Sequence, residues 1–126
     1  MNNESSMSES PRLPTAVIIF TSSARFQLGQ VVITPGALDL LQQTGFSAAA
    51  LLNLHVHGNW GDCGSKDAAE NELAVVRQRQ LISVYRLVDD AKLLATPRLK
   101  RIDLPTIWII TEADRSATVI LRPQDY

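Results

Sequence analysis

The sequence predicts an α+β fold in which a mainly antiparallel sheet carries about three helices packed on one face. Three observations predict it. β-branched runs stand near both ends of the chain, segments with helix start and stop signals fill the middle, and the last two strand runs are separated by a connection short enough only for a hairpin. At 126 residues, the chain has enough sequence for one core and too little for a second.

Residues 1–14 are rich in Ser, Asn, Glu and Pro and hold only two Met and one Leu, so they are read as a disordered tail. They lack the basic start and apolar stretch of a secretion signal. A single domain over 15–126 follows. The run TAVIIF (15–20) is predicted as a well-covered strand, and RFQLGQVVI (25–33) as a second strand kinked at Gly29. Thr34-Pro35 then opens a helix, because Thr34 can accept from free backbone N–H groups and proline suits the first helical position. Gly45 stops that helix, and Ser47 caps a second, short one ending at Gly58.

GNWGDCG (58–64) must be a loop, with three glycines in seven residues. Asp67 and Glu70 have capping-box spacing, which predicts a helix that presents Ala69, Leu73 and Val76 to the core. LISVYRLV (81–88), TIWIIT (106–111) and SATVILR (116–122) are predicted strands. Glu112 to Arg115 turns the last two into an antiparallel hairpin. Between the first two lies an excursion, 89–105, with two prolines, a basic cluster at Arg98, Lys100 and Arg101, and room for a short helix over 91–94.

Composition bounds function. A net charge of −1 gives no general support for nucleic-acid binding, so composition leads us to expect no DNA partner. The longest apolar runs are too short to span a bilayer. One cysteine, Cys63, permits no internal disulfide and suits a reducing, cytoplasmic setting.

HVHGNWGD (55–62), SVYR (83–86) and WIITEADRSATVILRPQDY (108–126) resemble the small uncharacterised bacterial proteins carried on plasmids, prophages and integrative elements. Members are often labelled "plasmid-related protein" or, misleadingly, type I restriction methylase subunit. The similarity runs from about Phe26 to the C-terminus. The resemblance implies a soluble bacterial protein in a mobile-element setting and no particular activity. Three departures stand out: Asn59 replaces an acid in the usual G-D-W-G loop, the 89–105 excursion is longer, and the N-terminal tail and strand are additional.

Several residues could carry chemistry, and each has a plainer reading. The Glu112-Ala113-Asp114-Arg115-Ser116 turn packs two carboxylates, a guanidinium and a hydroxyl together. Either it contacts an anion or a partner through Asp114, Arg115 and Ser116, or Asp114 binds nearby N–H groups and Arg115 an acid. His55 and His57 precede the glycine loop, near Asp62 and Cys63. Their spacing matches no structural zinc pattern, so no metal or other cofactor is expected; a histidine ending a helix is also favoured by the helix dipole. Trp60, between flexible residues, either plugs the core or presents a binding surface. Asp62 and Asn71 can fix the loop to the following helix. Tyr85 can be core or, at a sheet edge, contact.

Two functions of different classes emerge. One is a protein-binding or regulatory accessory module of a mobile element, with Trp60, Asp62, Asn71, Tyr85, Asp114, Arg115 and Ser116 at its surface. The alternative is a small metal-independent ribonuclease of the toxin type, with RNA as substrate. In that reading His55, Glu112 and Arg115 serve as base, acid and oxyanion stabiliser, and Thr118 or Tyr85 helps to hold phosphate. The second reading requires His55 to share an open cleft with Glu112 and Arg115.

Overall fold

Capping chemistry starts the first two helices where expected. The structure, a computed structural model, describes residues 23–126; the expected tail over 1–14 and strand over 15–20 lie outside the described residues. Helix α1 (Pro35–Thr44) starts at Thr34, whose Oγ1 accepts from the Ala37 N–H at 3.2 Å, and stops at Gly45, whose φ of 77° is left-handed. Helix α2 (Ala48–Val56) is capped by the Ser47 hydroxyl.

The third helix departs from its expected frame. α3 spans Ser65–Arg77 and begins at Gly64 with no side-chain cap, so Asp67 lies in its first turn rather than ahead of it. Its buried positions are Asn71 and Ala74, with Ala68 and Val75 partly covered, while Ala69, Leu73 and Val76 face out. The apolar count had favoured Leu73 and Val76. The actual seam is polar at its centre, because Asn71 has a partner on the neighbouring strand.

The strands are β1 (Gln30–Ile33), β2 (Leu81–Arg86), β3 (Thr106–Thr111) and β4 (Ala117–Leu121), in spatial order β1-β4-β3-β2. The β2–β3 and β3–β4 pairs are antiparallel, and β1 runs parallel to β4. The fold is α+β with a mostly antiparallel sheet. The expected strand over 25–33 is shorter, since residues 24–29 cross the end of the sheet before Gly29, at φ 65°, turns the chain into β1. A Cβ on Gly29 would collide with the backbone of Arg115 and Ser116, so only glycine permits this approach.

Alternation along the strands divides the sheet into two faces. Leu81, Ser83, Tyr85, Ile107, Ile109 and Ile120 lie on one; Tyr85 and the three isoleucines pack against Ala37, Leu41, Leu51, Leu52 and Val56 of α1 and α2, and Leu81 packs with Trp60, Cys63 and Ala74. Leu52, Ile107, Ile109 and Ile120 are fully buried, and each stabilises the fold by roughly 1.5–3 kcal/mol. α3 runs along the β2 edge. The excursion forms α4 (Asp90–Ala95), close to its expected span, and then a 3₁₀ helix over Arg98–Asp103; neither buries a residue.

Candidate functional site

The three stretches singled out in the sequence meet one another at the β2 side of the sheet. His55, at the end of α2, is fully buried. Its Nδ1 lies 2.6 Å from Ser83 Oγ and its Nε2 2.9 Å from Thr111 Oγ1. Thr111 Oγ1 is 2.8 Å from Thr118 Oγ1, which donates to the Leu28 carbonyl at 2.7 Å. The carbonyl end fixes the donors as far as the imidazole, because a carbonyl only accepts. Thr118 spends its proton on Leu28, so Thr111 donates to Thr118 and Nε2–H donates to Thr111. Ser83 then donates to an unprotonated Nδ1. The network is complete with a neutral imidazole, and burial, followed by the charge of Arg115, pushes the His55 pKa down to about 3.

Arg115 grips backbone. Its Nη1 donates to the carbonyls of Arg79, Glu112 and Ala113 at 2.7, 3.1 and 3.2 Å, and its Nη2 donates to that of Ala74 at 2.9 Å. The guanidinium thereby caps the C-terminal end of α3, where the helix dipole favours a cation, and joins it to the hairpin tip. It also sits over the Phe26 ring, 5.6 Å from the centroid. The residue itself has φ 62°, following the turn closed by Arg115 N–H to the Glu112 carbonyl at 2.9 Å. Asp114 Oδ1 accepts from the Ser116 N–H at 2.9 Å, and bonds from Ser116 hold its carboxyl below the ordinary range. The Glu112 side chain is exposed.

Trp60 plugs the core. Its ring stacks on Phe26 at 6.2 Å and meets His55 edge-on, while Nε1–H donates to Glu72 Oε2 at 3.0 Å. Arg25 chelates the same carboxylate at 2.8 and 2.9 Å. Hydrogen bonds from Arg25 and Trp60 hold the Glu72 pKa at about 2. Tyr85 donates to the Asn59 carbonyl at 2.6 Å, and burial raises its pKa. Asn59 Oδ1 in turn accepts from the Gly61 N–H at 3.1 Å.

Asp62 gathers three arginines. Its Oδ2 accepts from Arg86 Nε at 2.9 Å, and its Oδ1 accepts from Arg98 at 2.9 Å and Arg101 at 2.8 Å. The carboxylate is 9% exposed. Burial alone would raise its pKa, but the Arg86 and Arg101 hydrogen bonds prevail and hold it low. Two of these arginines belong to the basic cluster of the excursion. Asp62 therefore ties the excursion to β2, and not, as the sequence suggested, the loop to α3.

Asn71 also acts on β2. Its amide donates to the Ile82 carbonyl at 2.8 Å and accepts from the Ile82 N–H at 3.2 Å. Two residues along, Val84 N–H donates to the Trp60 carbonyl at 3.0 Å and the Val84 carbonyl accepts from the Asp62 N–H at 2.6 Å. The glycine loop is thus a pseudo-strand laid on the β2 edge, and a Cβ on Gly61, at φ 75°, would strike the Val84 carbonyl.

His55 and Arg115 come together around Phe26, but the imidazole is shut off from solvent with both nitrogens engaged. Thr118 belongs to the same buried chain. His57 Nδ1–H donates to the Asn53 carbonyl at 2.6 Å, and among the described residues no group of three or more His, Cys, Asp or Glu is placed to hold a metal.

The open surface lies on the opposite sheet face. A cleft of about 760 Å³ runs between Trp108, Val84, Arg86 and the 3₁₀ helix, where Leu99 and Ile102 form its rim. A second, of about 700 Å³, continues past the shared Trp108 and Val84 to Leu73 on α3. Tyr126 packs edge-on against Trp108 at 5.6 Å and is itself exposed. Sequence reasoning missed this rim because it weighed the charges of the excursion and not its Leu94, Leu99 and Ile102.

No protein-family model, curated protein or solved structure matches this chain. Among the described residues no helix is long and apolar enough to cross a membrane.

Proposed function

We propose that the chain is a protein-binding accessory module whose partner docks on the cleft beneath the excursion. One observation carries this reading: Leu94, Leu99 and Ile102 are 80, 92 and 77% exposed on a segment held by a polar clamp. Large aliphatic side chains turned to water on two helices that bury none of their own residues offer apolar area that only another surface can cover. The exposed Lys100 lies between Leu99 and Ile102, so the partner is an apolar segment carrying an acidic side chain. Three of the four residues named for catalysis support the same reading, since His55, Thr118 and Arg115 are each committed to a partner within the fold.

The ribonuclease alternative asks His55 to take a proton from a ribose hydroxyl, and His55 would first have to leave its buried network. In the setting we infer, the cytoplasm rests on the single cysteine and the mobile-element bacterium on the motif resemblance.

The test is the double variant Leu99→Asp/Ile102→Asp, whose positions are too exposed to disturb folding. A partner captured by the wild-type protein is identified, purified and titrated against both forms. Binding at least tenfold weaker in the variant, with an unchanged thermal midpoint, is the expected result. Equal affinity overturns the assignment of this rim as the docking surface.

A further inference from the structure

The two edges of the sheet are treated differently. On β2, the outward backbone groups of Ile82 and Val84 are all taken, by the Asn71 amide and by the glycine loop. On β1, Gln30 and Thr34 donate to the Ser116 and Ile120 carbonyls of the neighbouring chain segment. Because successive backbone groups alternate sides, those of Val31 and Ile33 point away from β4. Among the described residues they have no backbone partner. An open edge is normally blunted by charge, proline or a bulge. β1 reads Gln-Val-Val-Ile, with none of these, and Val32 is 44% exposed.

We infer that β1 pairs with β1 of a second copy of this chain, antiparallel about a two-fold axis, to make one continuous eight-stranded sheet (twice the four strands of one copy). The register follows from the outward groups. Placing Val31 opposite Ile33 of the other copy lets each pair exchange two hydrogen bonds, so every outward N–H and C=O of both residues is satisfied. Val32 then faces its own counterpart across the axis as a close, non-hydrogen-bonded pair, which covers its exposed methyl groups.

A second copy fits better than an unrelated strand for two reasons. The edge is uncharged, so it does not repel itself. The far edge of each copy is already sealed by Asn71 and the glycine loop, so pairing at β1 closes at two copies and cannot propagate into a filament.

Sedimentation equilibrium of the full chain, read alongside hydrogen exchange at the Val31 and Ile33 amides, tests this. The expected result is a particle of twice the chain mass in which both amides are protected. Val32→Lys, which sets two like charges face to face on the axis, weakens the dimer at least tenfold and releases both amides while the thermal midpoint of the monomer holds. A wild-type chain that stays monomeric at high micromolar concentration overturns the inference, whether or not its Val31 and Ile33 amides exchange. So does a dimer that Val32→Lys leaves intact.

Discussion

Replacing Asp62 with asparagine keeps the shape of the side chain and removes the negative charge on which Arg86, Arg98 and Arg101 converge. Breaking a fully buried ion pair by removing one partner costs about 3–5 kcal/mol. Arg98 is 58% exposed and can turn to water, so its share is that of a surface pair, under about 1 kcal/mol. Arg86 and Arg101 cannot turn away so freely. Arg86 also donates to Thr106 Oγ1 at 2.9 Å and Arg101 to the Thr96 carbonyl at 3.1 Å, so both guanidinium groups stay in place with a charge uncompensated. The expected cost is about 2–4 kcal/mol, seen in urea unfolding as a midpoint lowered by roughly 1–2 M at unchanged slope. Arg98→Ala, as the control, costs under about 1 kcal/mol. The pH dependence has a definite sign. The folded Asp62 carboxyl is held below its unfolded value, so its stabilisation is full above about pH 4 and is lost as pH falls through the folded pKa. The gap between wild type and Asp62→Asn therefore narrows on acidification below that point. A variant within about 0.5 kcal/mol of wild type at neutral pH would refute the clamp.

Two further outcomes follow from the buried polar groups. The His55 pKa falls from an ordinary value near 6.5 to about 3 in the fold, so the unfolded chain binds the extra proton between those values. Stability from this group is full above about pH 6.5 and declines on acidification by about 1.4 kcal/mol per pH unit; His55→Gln, followed by chemical denaturation across the same range, removes that slope. Arg115→Ala gives up charge-assisted bonds to four carbonyls and costs about 1.5–3 kcal/mol, whereas Glu112→Ala, at an exposed carboxylate, stays within about 0.5 kcal/mol. Thermal unfolding of the pair separates the clamp from its neighbour.

Much of the fold was legible because its signals are local. Thr34-Pro35, Ser47 and Gly45 mark helix ends by chemistry that acts within four residues. The Glu112–Arg115 turn and its β-branched flanks specify a hairpin in the same way. The face of α3 was not legible, since its burial is decided by Asn71 reaching Ile82 on another element. The parallel β1–β4 pair is likewise a product of tertiary contact. Among the site residues, the types were found and their roles were not. A Trp between glycines, an Asp in a loop and an Arg in a turn look like surface equipment until their partners are known. Those partners, Glu72, the excursion arginines and the end of α3, lie 12 to 41 residues away.

A side chain that satisfies a buried partner has no capacity left for a ligand, so the place to look for recognition is where groups lack one. Two such places exist among the described residues, and they stand on opposite sides of the sheet. The unpaired backbone of Val31 and Ile33 is at the β1 edge, while the aliphatic rim and its cleft lie over β2 and β3. In the order β1-β4-β3-β2, pairing through β1 leaves β2 and β3 of each copy at the outer ends of the joined sheet. A dimer built this way would present two identical clefts at fixed separation. A partner offering two copies of the acidic, apolar segment would then gain avidity beyond the affinity of either cleft, by about 10²–10⁴ when the spacing of the two segments matches that of the clefts. The dimer and the cleft are therefore separable by experiment: Val32→Lys removes the avidity for a bivalent partner and spares single-site affinity, and Leu99→Asp/Ile102→Asp lowers both.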